Sequence, residues 1–536
     1  MLAVIGREFP QSLIRAVVPQ SDDELSHMLN DLQLGEFIYE QPAVGDAEYM
    51  FKHALTREAA YNSVLIERRK HLHERVGAAL ETLYGSSLDD HLPELAYHYA
   101  RSANPAKAVE YCTRASQQSS ARASYAEAVV HFEAGLARLQ ELPDDDRRAE
   151  LELDLRNAAQ LAVATTKGYG SAESERFTAR AFELSRRPGI HWEKAWMALA
   201  GLYTTAMIGS SAGKARELAT QLLALAEQHG NVDFTAESFY NLGFSQMLTG
   251  EFELAAQCFD RAISLFETTS LSTASRGWRR NLTHAYAVSG WNACSLGFPG
   301  RAVNRINRAL MLARASNSKV VELSVLGFSL NGLWLLRESQ RVRECAEVVF
   351  GLATELGDPV IRAFGDFYLG WSDSAVAMKH LEGIARMQQA VAQFKAVGFS
   401  SLSFVLSILA QVQCRFGQYD EASAAIDEAL VSIEQTGQRS WKAEVYRTQG
   451  ALLLAKGASN AMQAEQSLRT AIAIARRQKA KGLELRATTS LARLLGDTGR
   501  RDEARTMLAE IYNWFTEGFD TADLKDAKAL LEELRT

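Results

Sequence analysis

The order of small and large apolar residues along the chain repeats at regular intervals. One segment carries the whole pattern: Leu242-Gly243, Gly250, Phe252, Ala255, Phe259 and Ala262. Further copies begin at Leu409-Ala410, Leu491-Ala492, Ser289-Gly290 and, near the N-terminus, Leu95-Ala96. Apolar residues at these spacings share one face of a helix, and the central glycine is a residue that ends helices. The pattern therefore predicts pairs of antiparallel helices.

The small residues indicate how the two helices of a pair pack. Gly243 on the first helix, with Ala255 and Ala262 on the second, allows the helix axes to approach closely. Phe259, four residues after Ala255, fills the groove between them. This combination resembles the tetratricopeptide repeat (TPR), which has a period of about 34 residues. The spacing here is longer, 47 residues from Gly243 to Gly290, so we expect longer helices than in a short TPR.

The same pattern divides the chain into segments. Residues 231–536 are predicted to form a TPR-like repeat array, and residues 86–230 an irregular TPR-like helical region. HEAT-like helix pairs also have periods near 40 residues, but the positions of the small residues favour the TPR. The predicted fold class is all-α, a superhelical stack of helical hairpins that follows a small N-terminal domain over residues 1–85.

The first 85 residues have a different pattern. Ser21, with Glu24 three residues later, is typical of a helix N-cap. Residues 37–39 and 49–51 are two short β-strand candidates separated by a turn that contains glycine. The order of helix, helix, β-hairpin and helix is the layout of a winged-helix domain.

Charge bears on what this first domain can bind. Residues 1–90 contain 8 Lys and Arg but 15 Asp and Glu, whereas the rest of the chain carries 50 of each sign. The candidate recognition helix contains Asp22, Asp23, Glu24 and Asp31 and no Lys or Arg, and phosphates would repel it. Nucleic acid is therefore not an expected partner, and a transcriptional regulator that uses the winged helix stays the less favoured alternative.

Cysteine usage and hydropathy indicate a cytoplasmic protein. The five cysteines form no CxxC pair, so neither a zinc motif nor a redox motif is predicted. The sequence contains no apolar run of the roughly 18–20 residues that span a bilayer, and the first residues, MLAVIGREFP, do not read as a signal peptide. We expect no membrane partner and no bound metal.

A phosphate-binding loop is the enzyme motif that comes nearest to a match. Gly209, Gly213 and Lys214 are similar to it, but the glycines are one residue too close together and Ala215 replaces the hydroxyl that binds Mg²⁺. No paired-Asp metal site of a cyclase is recognisable. The chain is therefore predicted to be neither an enzyme nor a cofactor-binding protein by itself.

Several phrases together resemble one family of large bacterial signalling proteins. They are AVIGREF at the start, FKHALTREAAYNSVL at 51–65, ELAYHYARS at 94–102, ATTKGYG at 164–170 and WFTEGFDTADLKDAKALLEEL at 514–534. These phrases are similar to the signal-transduction ATPases with numerous domains (STAND). Such proteins often place an adenylate/guanylate cyclase or DNA-binding domain before an AAA-type ATPase, and a winged helix and a long TPR-like array follow. The resemblance implies that this chain is the C-terminal winged-helix and TPR portion, and that an ATPase or cyclase domain packs on residues 1–85.

The resemblance also gives His53 a role. In this family a winged-helix histidine at the start of a helix contacts the β-phosphate of ADP, and Lys52-His53-Ala54-Leu55 matches that position, although Ala54 replaces the family's Asp. A helix N-terminus is a reasonable phosphate site. A plain polar residue at a strand–helix junction explains His53 equally well, and without an ATPase domain it would not bind nucleotide alone.

The function that these patterns favour is a non-catalytic protein-interaction and sensor scaffold. Repeat arrays form long concave surfaces, so a protein or peptide ligand is the expected partner there. Its binding residues are predicted to be exposed on the first helix of each pair: Tyr240, Asn241, Phe244, Trp291, Gln411, Arg415, Glu444 and Arg447. Core or groove packing is expected of the tryptophans on repeat helices, Trp291, Trp334, Trp371 and Trp441. The alternative is one part of a cyclase or ATPase whose catalytic domains precede this chain.

Overall fold

The computed structural model of the chain describes residues 1–41, 46–209, 211–269, 276–375, 379–399 and 401–535. By packing, the chain forms two compact units. The first comprises Met1–Val163 and Glu183–Ile190, and the second comprises Ala164–Phe182 and His191–Thr536. The predicted segment limits at residues 85 and 230 mark changes of sequence pattern and stay a prediction.

The first unit begins with short helices around a small sheet. Its first elements are α1 (Leu2–Ile5), β1 (Glu8–Pro10), α2 (Gln11–Val17), α3 (Asp22–Leu34), β2 (Ile38–Gln41), β3 (Glu48–Phe51), α4 (Ala54–Asn62) and α5 (Ile66–Leu83). The sheet is antiparallel with β3 between β1 and β2. Both predicted strands are present, whereas β1, only three residues long, carries too short a pattern to be predicted. Ser21 and Glu24 form the predicted capping box. The centre of the predicted turn, residues 42–45, lies outside the described residues, and the winged-helix assignment stays a prediction.

The sheet and the following helices share one core. A 3₁₀ helix (Gly85–His91) leads to α6 (Leu92–Tyr99), α7 (Pro105–Ala121), α8 (Tyr125–Leu139) and α9 (Asp146–Lys167). Phe9 of β1 and Ile14 of α2 belong to the same buried cluster as Leu95 of α6 and Cys112 of α7. The first 85 residues are therefore continuous in packing with the helices that follow them.

The second unit consists of helices that pack mainly against their neighbours in the sequence. They are α10 (Ala172–Ser185, its first part only), α11 (Trp192–Gly209), α12 (Ala212–Gln228), α13 (Val232–Thr249), α14 (Phe252–Thr269), α15 (Arg276–Leu296), α16 (Pro299–Ala315), α17 (Lys319–Leu335), α18 (Ser339–Leu356), α19 (Pro359–Ser374), α20 (His380–Ala396), α21 (Leu402–Arg415), α22 (Tyr419–Thr436), α23 (Lys442–Lys456), a 3₁₀ helix (Ala458–Asn460), α24 (Ala461–Arg477), α25 (Lys481–Asp497), α26 (Arg501–Tyr512) and α27 (Ala522–Glu533). The predicted all-α stack of TPR-like hairpins is confirmed. Most repeat helices have 16 to 18 residues, as the long spacing requires.

The packing within each pair follows the predicted pattern. A Cβ atom added at Gly243 would lie 3.0 Å from the Cβ of Cys258 and 3.1 Å from the backbone oxygen of Ala255. Such distances are tighter than most real Cβ contacts, so a side chain larger than that of glycine would require α13 and α14 to move slightly apart. Gly250 ends α13 at φ +87°, in the left-handed region that favours glycine. Phe259 is fully buried in the groove.

The array also closes on itself. We call α13, α15, α17, α19, α21, α23 and α25 the inner helices. α15 packs against α25, and a Cβ atom at Gly482 would lie 2.2 Å from the backbone oxygen of Cys294. The Lys479 ammonium lies 2.5 Å from a carboxylate oxygen of Glu253, which precedes it by 226 residues. Because the last repeats contact the first, much of the inner face is interior. Among the helices of the described residues, none combines the length and apolar character that crossing a bilayer requires.

Candidate functional site: an aromatic cavity in the repeat array

A cavity of about 200 Å³ lies among the inner helices of the second unit. Eight aromatic side chains line it: Tyr169, Phe244, Trp291, Phe328, Phe364, Phe399, Phe404 and Trp441. We call it the aromatic cavity. Its walls come from α11, α13, α15, α17, α19 and α21 and from the segments that follow α9 and precede α21 and α23. Residues far apart in the array therefore meet around it.

Trp441 is held in place by this closure. The backbone N–H groups of Arg439 and Ser440, just before it, both donate to the backbone oxygen of Leu248 at the end of α13, at 2.8 and 3.0 Å. The Trp441 ring lies 6.4 Å from Trp291 and 5.6 Å from Trp334, between ring centroids. Aromatic pairs at such distances stabilise one another beyond simple burial. The indole is thus fixed before any ligand arrives.

Most polar groups of the lining already have partners. The Asp358 carboxylate caps α19 by accepting from the backbone N–H of Ile361 at 2.9 Å, and burial raises the pKa of this carboxyl. The Asn331 side-chain oxygen accepts from the Tyr368 hydroxyl at 2.7 Å. Gln438 accepts from the hydroxyl of Ser401 at 2.5 Å. These bonds hold the walls together and leave an interior that is mainly apolar.

The indole of Trp441 is different. Its Nε1–H is buried and meets no acceptor within the described part of the chain. A buried donor without a partner costs free energy, and such a group is satisfied when a ligand supplies an acceptor. The cavity is therefore mainly apolar, and the indole N–H of Trp441 lies buried in its wall without an acceptor among the described residues.

The structure places three of the predicted partner-binding residues at or beside this cavity. Phe244 and Trp291 line it. Tyr240, one turn before Phe244 on α13, stacks on the Phe244 ring with centroids 6.2 Å apart. Asn241 is buried on the same helix.

The other predicted residues lie elsewhere. Gln411 and Arg447 line a second, polar cavity of the inner face, and Glu444 is buried beside it, paired with Arg447. Arg415 is exposed at the end of α21, with its guanidinium 5.5 Å from the centre of the Phe416 ring.

The expected exposure is wrong for four of these residues, namely Asn241, Phe244, Trp291 and Glu444, which are buried. The reason is physical: an open concave face would expose them, but the inner helices here pack against one another. Their role in partner binding stays a prediction.

His53 occupies the predicted junction. It follows β3 as the N-cap residue of α4, is exposed, and makes no side-chain capping hydrogen bond. Its contact with a nucleotide stays a prediction.

Sequence reasoning missed much of the cavity. Asp358, Gln438 and Asn331 come from different repeats, and no local pattern links them. Trp441 was expected to pack in the core or groove, and it does so while also lining the cavity. The turn that precedes α23 carries no separate signal.

Comparison with known proteins gives distant similarities. No protein-family model matches the chain. An uncharacterized protein of Rhizobium meliloti (strain 1021) is 22% identical over 499 residues, which cover 92% of this chain and 48% of that protein. The chain therefore spans about half the length of the curated relative it matches.

Solved structures similar to the chain include several TPR proteins. A Rap protein complexed with competence and sporulation factor is 12% identical, with a TM-score of 0.49 over 72% of this chain and 99% of that one. Yeast Tom70 is 14% identical and has a TM-score of 0.33, and the match covers 89% of this chain and 96% of Tom70. A STAND protein with a tetratricopeptide repeat sensor from Pyrococcus horikoshii is 13% identical and has a TM-score of 0.33. The match covers 86% of this chain and 74% of that protein. At TM-scores below 0.5, none of these similarities carries an argument about function.

Proposed function

We propose that the chain is a non-catalytic interaction and sensor module that binds a peptide or protein partner through the aromatic cavity. The observation that carries this proposal is the cavity itself, with its eight aromatic side chains and the indole N–H of Trp441, which meets no acceptor among the described residues. Clefts that are mostly apolar, with a few placed polar groups, are the usual form of ligand sites.

The size of the cavity indicates what it would accept. At about 200 Å³ it is smaller than the roughly 300–1,000 Å³ of pockets for drug-sized ligands. It can hold one large apolar side chain but no extended segment. Interfaces commonly depend on one such aromatic or aliphatic anchor in a desolvated pocket. We therefore infer that a partner inserts a single apolar residue and that a carbonyl beside it accepts from Trp441.

Small amides test this proposal, because they mimic one residue of a peptide. N-acetyl-tryptophanamide and N-acetyl-phenylalaninamide are titrated against the chain by ligand-observed NMR, with N-acetyl-alaninamide as the negative control. The first two are expected to bind with a Kd near 1 mM or below (about −4 kcal/mol), and the alanine derivative is not.

Two leucine substitutions locate the binding. Gly327 of α17 lines the cavity, and a Cβ atom there would lie 3.4 Å from the Ile361 side chain, at ordinary contact distance. Gly327→Leu therefore places a side chain in the cavity. Gly351 of α18 is exposed and a Cβ atom there would meet no described residue within 4 Å, so Gly351→Leu is the matched control. The proposal requires loss of binding in the first variant only. Equal binding by both variants, or no binding by wild type, contradicts it.

We further propose that the chain is the sensing arm of a larger bacterial signalling ATPase. The sequence phrases that resemble the STAND family support this proposal. So does the curated relative from Rhizobium meliloti, because the matched region covers only 48% of its length. The surface around α4 supports it as well: α4 buries no residue, and Leu55, Leu65 and Ile66 are 78%, 79% and 63% exposed. Large exposed apolar residues of this kind are typical of interaction sites when they lie together on the surface.

A nucleotide-binding domain is the partner proposed for the α4 surface, with His53 at its edge facing the β-phosphate of ADP. The genomic sequence immediately upstream of Met1 tests this arrangement. A phosphate-binding loop encoded there, in frame or in a neighbouring gene, supports the proposal. Its absence from both places contradicts it.

A further inference from the structure

A second cavity, polar and about 270 Å³ in volume, lies on the inner face near the last repeats. We call it the arginine cavity. Its charged lining consists of Arg337, Arg447, Arg486, Arg493, Asp523 and Asp526. Four guanidinium groups around one cavity are unusual, because like charges repel unless carboxylates or a ligand compensate them.

Carboxylates compensate three of the four. Buried Glu444 accepts from Arg447 at 2.9 Å and from Arg486 at 2.9 Å. Arg486 also donates to Asp523 at 3.0 Å.

Arg337 is the third compensated guanidinium, and it pairs with Asp526 at 2.5 Å. Arg493 on α25 is exposed and forms no ion pair with any residue that the structure describes. Four guanidinium groups thus face three carboxylates, and one positive charge remains.

Neutral polar side chains also line the arginine cavity. The Gln411 side-chain nitrogen is buried and finds no acceptor in the described ranges. The hydroxyls of Thr489 and Ser490 donate to backbone oxygens one turn earlier, at 2.8 and 3.1 Å. Their oxygens therefore remain as acceptors in the cavity. The lining thus offers one uncompensated guanidinium group and two hydroxyl acceptors, with the Gln411 amide nitrogen buried in its wall.

From this arrangement we propose that the arginine cavity binds a small hydroxylated anion with one carboxylate or phosphate group. Arg493 and the Gln411 amide hold the anionic group, since guanidinium recognises both kinds of oxyanion through paired N–H donors. Ser490 and Thr489 accept from the hydroxyls of the ligand. The single uncompensated charge matches an anion rather than a neutral sugar. The site is separate from the aromatic cavity, so this proposal does not rest on the function proposed above.

Calorimetric titration of the full chain tests the proposal with three probes of similar size: gluconate, glucose 6-phosphate and neutral glucose. At least one of the two anions is expected to bind with a Kd near 1 mM or below, and glucose is not. Binding of gluconate alone identifies a carboxylate site, and binding of glucose 6-phosphate alone a phosphate site. If neither anion binds, or if glucose binds as well as they do, the proposal is wrong.

Two arginine substitutions show whether the binding occurs in the cavity. Arg493→Gln should weaken the binding of the anion at least about tenfold, because it removes a charge-assisted contact. Arg501, on α26, is also exposed and outside the cavity, so Arg501→Gln should leave the affinity unchanged. Gln411→Leu, which removes the second donor, should also weaken binding. Equal effects of Arg493→Gln and Arg501→Gln overturn the assignment, since they would indicate attraction by net charge alone.

Discussion

Replacing Glu444 with glutamine tests the closed inner face most sharply. Glu444 is only 1% exposed and its carboxylate binds two guanidinium groups, those of Arg447 and Arg486. Arg486 lies on the next inner helix, 42 residues later. Glutamine keeps the shape and one acceptor but removes the charge, so the substitution leaves two arginines without a buried partner.

The size of the effect follows from the pKa of the carboxyl. Burial by itself would raise the pKa of Glu444, but the charges of Arg447 and Arg486 and their hydrogen bonds outweigh it and lower the pKa to about 2. Compared with an ordinary value of about 4.3, this corresponds to about 3 kcal/mol of favourable interaction. Breaking a buried ion pair by removing one partner costs about 3–5 kcal/mol. We therefore expect Glu444→Gln to lower the free energy of unfolding of the second unit by about 3 kcal/mol.

Tryptophan fluorescence during urea unfolding measures this loss. All eight tryptophans follow residue 190, so their emission reports on the second unit alone. Glu434→Gln is the control, because the Glu434 carboxylate pairs with Lys442 at 2.7 Å but is 66% exposed, and exposed pairs contribute at most about 1 kcal/mol. A loss below about 1 kcal/mol for Glu444→Gln, or an equal loss in the control, would refute the buried ion-pair cluster.

Further predictions concern closure, pH and capping. Gly482→Ala should destabilise the second unit by about 1–3 kcal/mol by overpacking against Cys294. Gly351→Ala should stabilise it by about 0.5–1 kcal/mol. Urea unfolding compares the two variants, and equal changes in the free energy of unfolding would argue against closure of the array. Because its folded pKa is lowered, Glu444 stabilises the fold above about pH 4.3 and loses this contribution as the pH falls toward 2. In acid titrations, the free energy of unfolding of Glu444→Gln should therefore decline less steeply than that of wild type. Parallel declines of the two proteins would contradict this. Asp358→Ala should cost about 1 kcal/mol through loss of the α19 cap, and Asp358→Ser should restore most of it in the same assay.

The sequence predicts the packing within each helix pair well. The residues that meet there, such as Gly243, Ala255 and Phe259, lie within 16 positions of one another. Their sizes indicate directly which residues of the two helices are in contact. One contact between neighbouring repeats also follows from the spacing of the sequence pattern. Glu444 and Arg486 are 42 residues apart, which is the spacing from Gly450 to Ala492, so neighbouring repeats place them at equivalent positions.

Closure of the array could not be predicted in the same way. It depends on contacts such as that of Lys479 with Glu253, 226 residues earlier, and on small twists that add up over many repeats. The aromatic cavity arises from this closure, because Trp441 reaches it only when the turn before α23 binds the end of α13. For the same reason the sequence overestimated how exposed Phe244 and Glu444 would be.

Hydrogen–deuterium exchange with saturating N-acetyl-tryptophanamide tests the central claim most directly, because it reports where the probe binds. Protection is predicted in three segments that line the aromatic cavity, residues 324–331, 358–364 and 438–441, and it should disappear in Gly327→Leu. Unchanged exchange in these segments, or protection confined to other parts of the chain, would contradict a binding function for the aromatic cavity.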